Sequence, residues 1–347
     1  MILVHTFTPS FLKTLLVKIF MALDTPDDLA EVVADSLVDA NLAGHDTHGI
    51  IMVPPYAAQI RAGGLKPAAR ASVEPASPLP ATLAVNGAMG WGPPAAFLAA
   101  DETMKRARQF GIGAAVIRQC QHIGRLGQYV ERIAAHHLIG IITCNTGDAV
   151  APFGGKQRML GTNPIAIGAP RQGNQAAVVF DGSTSVVAGN KLMLLAHKGL
   201  PAPAGWIIDR TGEPSTQPDD YLTGGGALLP LGGHKGYALS VMVELLGGLL
   251  SGNSASFLPD CAGGNGVLVV AIQPQAFVPI DYYLAHVEQV CEALKATPRM
   301  DPAREVLLPG EPEQIARRER AANGIPVPET TWKSLRDLAD SLGVGLT

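Results

Sequence analysis

The chain has 347 residues, 47% of them hydrophobic, which suffices for two ordinary domains or one large elaborated one around a real buried core. Its 26 basic and 30 acidic residues leave a formal charge of -4 without long runs, so neither nucleic acid nor an anionic membrane surface is an expected partner and a small molecule is. Cys120, Cys144, Cys261 and Cys291 lie far apart with no Cys-x-x-Cys pair, the pattern of packed thiols in a reducing cytoplasm.

Residues 1–23 are apolar, but Lys13 and Lys18 interrupt the run and no small-residue cleavage site follows. The stretch reads as an amphipathic helix with Phe11, Leu12, Leu15, Leu16, Ile19 and Phe20 on one face. Thr25-Pro26-Asp27-Asp28 then opens a second helix by a capping-box pattern with proline at the first helical position, and Gly44 closes it. Four polar side chains follow between two glycines, in Gly44-His45-Asp46-Thr47-His48-Gly49. Residues 52–56 and 63–80 read as turns and irregular connections that mark a domain boundary. A helix is expected over 94–110, a buried strand over 114–117, a helix ending at 137 and a strand over 138–144. Another strand is expected over 176–180, with Asp181 at its carboxyl end, where open α/β sheets place ligand-binding groups. Residues 199–226 read as a long surface excursion. Gly232-Gly233-His234-Lys235-Gly236 opens an apolar helix to residue 250, which contains Glu244 and is shorter than the roughly 20 residues of a membrane span. A strand over 266–272 and helices over 282–294, 312–322 and 329–342 complete an α/β chain with helical terminal segments.

Several groups here can do chemistry, and each has an ordinary structural reading beside it. A neutral histidine can take the proton of an alcohol and return it, and His45 and His48 both qualify, although loop histidines are commonly structural. His45, Asp46 and His48 with His122 or His234 would make a zinc set, but His-x-x-His on a loop is a weak signal for metal, and none is expected. The turn at Gly232–Gly236 places backbone N–H groups and Lys235 at a helix N-terminus, which suits phosphate, without being a Walker loop. Arg125 could clamp a carboxylate or pair with Glu131. A Rossmann fingerprint is absent: Gly111-Ile112-Gly113 follows a helix, and Val116 stands at the third glycine position.

Six stretches occur in one order along nearly the whole chain: Ala43-Gly44-His45-Asp46-Thr47-His48-Gly49, His122-Ile123-Gly124-Arg125-Leu126-Gly127, Ala151-Pro152-Phe153-Gly154-Gly155, Gly161-Thr162-Asn163-Pro164, Gly232-Gly233-His234-Lys235-Gly236-Tyr237-Ala238-Leu239 and Leu308-Pro309-Gly310-Glu311-Pro312-Glu313. Together they resemble the malate/L-lactate dehydrogenase family, which lacks a Rossmann fold, and more nearly its hydroxycarboxylate dehydrogenase branch. The resemblance implies a homodimer that passes hydride between NAD or NADP and C2 of a 2-hydroxy or 2-oxo acid. It further implies His48 as the proton donor and acceptor, with Thr47 beside the substrate and His122 and Arg125 binding it. The cofactor would lie on Ala177, Val178, Val179, Phe180, Asp181, Gly182 and Ser183, on His234 and Lys235, and on Gly310, Glu311 and Pro312. The expected architecture is an α/β core over 76–297, with residues 1–75 packed beside 298–347. Many members carry arginine where this chain has Met52, and Arg125 is the expected replacement. The segment Gly182-Ser183-Thr184-Ser185 also departs from the usual Met-Ala-Thr-Ser, which leaves a catalytically silent, small-molecule-binding descendant as the alternative.

Overall fold

The computed structural model describes residues 4–75, 79–173, 175–197, 199–261 and 263–346. Helix Pro9–Met21 buries Leu12, Leu15, Leu16, Ile19 and Phe20, the face its periodicity predicts. It packs on helix Asp27–Leu42, and both share a hydrophobic cluster with Val53, Tyr56 and, from the far end of the chain, Ile325, Trp332 and Leu335. Backbone pairing reinforces this meeting of the ends, since strand Val4–Phe7 runs antiparallel to strand Ile325–Pro328. The second helix begins at Asp27 with Pro26 at its cap and no side-chain cap bond. Thr25 instead accepts a hydrogen bond from Trp91 Nε1 at 3.3 Å, so the expected capping box gives way to a tertiary contact.

The core is a seven-stranded sheet in the order Ser72–Val73, Thr82–Asn86, Ile112–Cys120, Asn265–Ile272, Ile139–Cys144, Ile165–Ala169, Val178–Gly182. Thr82–Asn86 runs parallel to Ile112–Cys120, and every other neighbouring pair is antiparallel. Helices Gly92–Phe110 and Gly127–Ala134 cover one face. Close seating of the second helix depends on the cross-strand pair Gly140 and Gly168, where an added Cβ would lie 3.0 Å from Ile133 Cβ and 2.8 Å from the Val130 carbonyl.

Several expectations need correction. Residues 52–56 are not turns: Pro54 and Pro55 start helix Val53–Arg61, the position where a fixed φ and a missing N–H cost nothing. The 199–226 excursion contains strands Ile207–Ile208 and Pro214–Ser215, and Ile207–Ile208 is the centre of a small sheet, paired with Pro214–Ser215 on one side and Ala227–Leu228 on the other. Strands Thr82–Asn86 and Ile165–Ala169 escaped notice because their few apolar residues sit among alanine, glycine and polar neighbours. Helix His234–Val243 continues as a π-helical segment, Glu244–Leu249. This places the buried Glu244 carboxylate against Asn163 Nδ2 (2.9 Å), Asn145 Nδ2 (3.0 Å) and Ser256 N (3.0 Å), tying down two loops near the strand ends. No described helix is long and apolar enough to cross a membrane.

Candidate active site

Helix Asp27–Leu42 delivers the polar loop to its place. After Gly44, at φ +83°, the chain makes two 3-10 turns, Asp46–His48 and Ile50–Met52. Buried Asn41 organises both: its Nδ2 donates to Asp46 Oδ1 at 2.7 Å, and its Oδ1 accepts from Ile50 N at 2.8 Å. Any Cβ at Gly49 would lie 2.1 Å from Asn41 Oδ1, so glycine is required there by close approach. Helix Glu311–Asn323 grips the loop from the other side, with Arg320 on Asp46 at 2.6 Å and Glu313 on His45 Nε2 at 3.2 Å. Asn190 Nδ2, on helix Gly189–His197, donates to the Thr47 carbonyl at 3.3 Å.

His48 and His122 face each other as stacked rings, 5.6 Å between centroids and 19° between planes. Thr47 Oγ1 lies 3.0 Å from His48 Nδ1, and Tyr56 Oη lies 2.7 Å from His122 Nδ1. Neither Nε2 has a hydrogen-bond partner among the described residues. Burial, assisted by the neighbouring His122, His45 and Arg125, pushes the His48 pKa from 6.5 down to about 3. His122 is pushed down to about 4 by burial. Both rings are therefore neutral at physiological pH, and each offers an Nε2 to whatever occupies the space beside them.

Arg125 does not join them. Its side chain is only 1% exposed; Nη1 and Nη2 donate to Glu131 at 3.0 and 2.7 Å, and Nη2 also reaches Asp39 at 3.2 Å. Burial opposes its charge, but Glu131 and Asp39 more than offset that and hold its pKa up. Arg317 completes the network, its Nη2 donating to Asp39 at 2.9 Å and Glu131 at 3.1 Å. The expectation that Arg125 replaces the arginine missing at Met52 is thus corrected, because both of its terminal nitrogens are committed inside the protein. Asp181 is also turned inward: its Oδ2 accepts from Gly127 N at 2.7 Å, capping the helix there. Burial raises its pKa, partly offset by His45 and Arg125. The rule that led to a ligand role at this strand end belongs to parallel sheets, and this strand is an antiparallel edge.

The remaining segments implied to hold cofactor are neighbours. Val179 N donates to the Pro309 carbonyl at 3.0 Å, and Gly310, at φ +92°, brings its turn so close that an added Cβ would be 3.2 Å from Val179 N. Glu311 closes its own turn by accepting from Leu308 N at 2.8 Å and pairs with Lys295, while Pro312 sits in the first turn of the helix that grips His45. Just beyond Ser183, Thr184 O accepts from Leu231 N at 2.9 Å, which joins the strand end to the turn before His234. Gly232 and Gly233 both have positive φ, and a Cβ on Gly232 would meet nothing within 4 Å. Helix His234–Val243 starts with no side-chain cap, and His234 and Lys235 are exposed. An open, uncapped helix start with a lysine fits a phosphate group.

Tyr56, Asn190, Arg317 and Arg320 hold or flank the site and carried no motif, and Glu313 stood in the last motif stretch without an assigned role. The Pro-Pro helix start was the available signal for Tyr56, since it places that residue on a helix directly after the His48 loop. Among the described residues no three histidine, cysteine, aspartate or glutamate side chains are grouped to hold a metal ion.

A mostly antiparallel α/β sheet flanked by the joined chain ends, with two neutral histidines stacked on each other, fits a dehydrogenase of non-Rossmann type. A family profile described as malate/L-lactate dehydrogenase matches residues 7–336, and the chain belongs to that family. It is 36% identical to hydroxycarboxylate dehydrogenase B of Escherichia coli, covering 98% of this chain and 95% of that one. It is 34% identical to malate/(S)-sulfolactate dehydrogenase of Methanothermus fervidus, covering 98% and 99% respectively. The solved sulfolactate dehydrogenase of Methanocaldococcus jannaschii superposes with a TM-score of 0.87 at 30% identity, over 99% of this chain and 98% of that one.

Proposed function

We propose that this protein interconverts a 2-hydroxy acid and a 2-oxo acid with NAD or NADP, and that His48 moves the proton. The observation that carries this reading is the stacked pair of neutral histidines whose Nε2 atoms have no partner among the described residues, His48 lying in a loop that touches the helix following the edge strand. The nicotinamide, when bound, supplies or accepts the hydride at C2 of the acid. With Nδ1–H donated to Thr47, His48 Nε2 is a lone pair that takes the hydroxyl proton as the alcohol is oxidised. In the reverse direction protonated His48 returns it to the carbonyl oxygen. His122 Nε2 and Thr47 are left to meet the substrate, because Arg125 is committed elsewhere and position 52 is methionine. A thioether there suits a substrate side chain that is bulkier or less acidic than malate's second carboxylate.

For the dinucleotide, Ala177 to Ser183 and Gly310 to Pro312 offer adjacent backbone, and the start of helix His234–Val243 with Lys235 offers the phosphate contact. We take a second copy of the chain as its partner. Ile167 and Phe180, opposite each other across two strands, are 39% and 47% exposed, and Leu239, Met242, Leu245 and Leu249 form an exposed apolar stripe on the helix that begins at His234. Unpaired cysteines support a reducing cytoplasm, and the separate hydrophobic clusters support two packing units, 1–75 with 298–347 and 76–297.

The test is nicotinamide absorbance over time with a panel of 2-oxo acids and each reduced cofactor. Turnover that prefers apolar oxo acids to oxaloacetate supports the reading and ranks NAD against NADP. A folded protein that oxidises neither cofactor with any acid contradicts it.

A further inference from the structure

The proposed reaction leaves one polar group beside the histidines without a task. Tyr56 is 2% exposed, with its ring edge-on to Trp91 at 5.5 Å and its hydroxyl 2.7 Å from His122 Nδ1. The contact admits two arrangements. Either the phenol donates to a bare Nδ1, or Nδ1–H donates to the phenol oxygen and the phenol proton must go elsewhere. Among the described residues the Tyr56 hydroxyl has no other partner, so the second arrangement leaves a buried O–H without an acceptor, which folded proteins avoid. Charged forms do not compete: burial pushes the phenol pKa up and the imidazole down to about 4. The histidine proton then sits on Nε2, the atom with no partner among the described residues.

We propose that Tyr56 is a positioning residue that locks His122 in its Nε2–H tautomer, so that a neutral N–H, rather than a cation from position 52, binds the substrate carboxylate. The carboxylate contact rests on the reaction proposed above; the tautomer does not. A neutral donor has a consequence for the adjoining ring. A guanidinium next to His48 would oppose the positive charge that ring acquires on taking the alcohol proton, whereas an N–H of a neutral imidazole binds the carboxylate without a full opposing charge. The stacking of His122 on His48 keeps this donor and the proton acceptor side by side.

The tautomer is read by nitrogen NMR of protein labelled at histidine, with the His122→Gln variant identifying the His122 signals. The wild type should show a pyridine-type Nδ1 and a pyrrole-type Nε2 on His122, and Tyr56→Phe, which keeps the ring packed on Trp91, should shift both toward a mixture. A protonated Nδ1 in the wild type, or an unchanged tautomer in Tyr56→Phe, would overturn the lock. Kinetics supply the second arm. Losing a fixed donor to a carboxylate should raise KM for the oxo acid on the order of 10- to 100-fold in Tyr56→Phe, with a smaller change in kcat. In the His122→Gln background the same substitution should do nothing further, because Tyr56 acts through His122. An equal KM increase in both backgrounds would assign Tyr56 to packing alone. No turnover with any oxo acid would overturn the carboxylate contact together with the proposed reaction, and the nitrogen spectrum would still decide the tautomer.

Discussion

His122 and Arg125 lie three residues apart in one motif, and the fold sends them to opposite environments. The histidine stacks on His48 with an Nε2 that has no partner among the described residues, where burial keeps both rings neutral. The arginine turns into a network with Glu131, Asp39 and Arg317, where opposite charges keep a buried guanidinium ionised. One region uses desolvation to remove charge and leave a reactive lone pair; the other uses pairing to retain charge and hold three segments together. Those segments are the helix before the His48 loop, the start of the helix at Gly127, and the helix following Gly310. A polar residue beside an active site is therefore assigned by its partners rather than by its chemical type.

The comparison breaks most sharply at His48. Replacement by alanine should lower kcat by about 10²- to 10⁴-fold, the usual contribution of a positioned acid or base, and leave the melting temperature nearly unchanged. Arg125→Met should do the reverse. It leaves Glu131 and Asp39 with Arg317 as their remaining partner, so urea unfolding should report a loss of about 3 kcal/mol, moderated by that pairing and because the two carboxylates keep partial solvent access. A smaller effect is expected at Asn41, which serves both regions by holding the loop to its helix. Asn41→Ala removes two hydrogen bonds, should cost about 1–3 kcal/mol, and should lower kcat through the loosened His48.

Acidity sharpens the same contrast. Below pH 6.5 the unfolded chain protonates His48 and His122 while the folded chain resists until about 3 for His48 and about 4 for His122, so unfolding takes up protons and stability falls as pH drops through that window. Urea midpoints at pH 7 and pH 5 should show the loss, and His122→Gln should reduce it. For the same reason kcat/KM for oxidation of the hydroxy acid should stay level well below pH 6.5, where a solvent-exposed histidine would already have lost its lone pair. A decline with a midpoint near 6.5 would show that His48 is not the depressed group.

The parts legible in the sequence were those set by local chemistry. The amphipathic first helix, the stop at Gly44 and the stop at Gly111, with φ +82°, follow from periodicity and from glycine's access to the left-handed region. Of the six motif stretches, those of His48 and His122 stack on each other, that of His45 meets that of Glu313, and that of Phe153 meets that of His234. What escaped was nonlocal. Val4–Phe7 becomes a strand because Ile325–Pro328, more than 300 residues away, pairs with it, and no window of the sequence contains both. For Arg125 the pairing with Glu131, six residues away, was legible, while the partner Asp39 that completes its commitment lies 86 residues upstream. Tyr56 passed for a turn residue because its two prolines suggested irregular chain, although at the first positions of a helix they promote one.

The most direct test sets the two regions side by side: initial rates and melting curves for wild type, His48→Ala and Arg125→Met, with one active 2-oxo acid and its preferred reduced cofactor. The account predicts that His48→Ala keeps its melting temperature and loses turnover, while Arg125→Met melts earlier yet, assayed well below that temperature, keeps a wild-type KM. An Arg125→Met enzyme that melts normally but needs far more oxo acid would contradict it, and would return the guanidinium to the substrate.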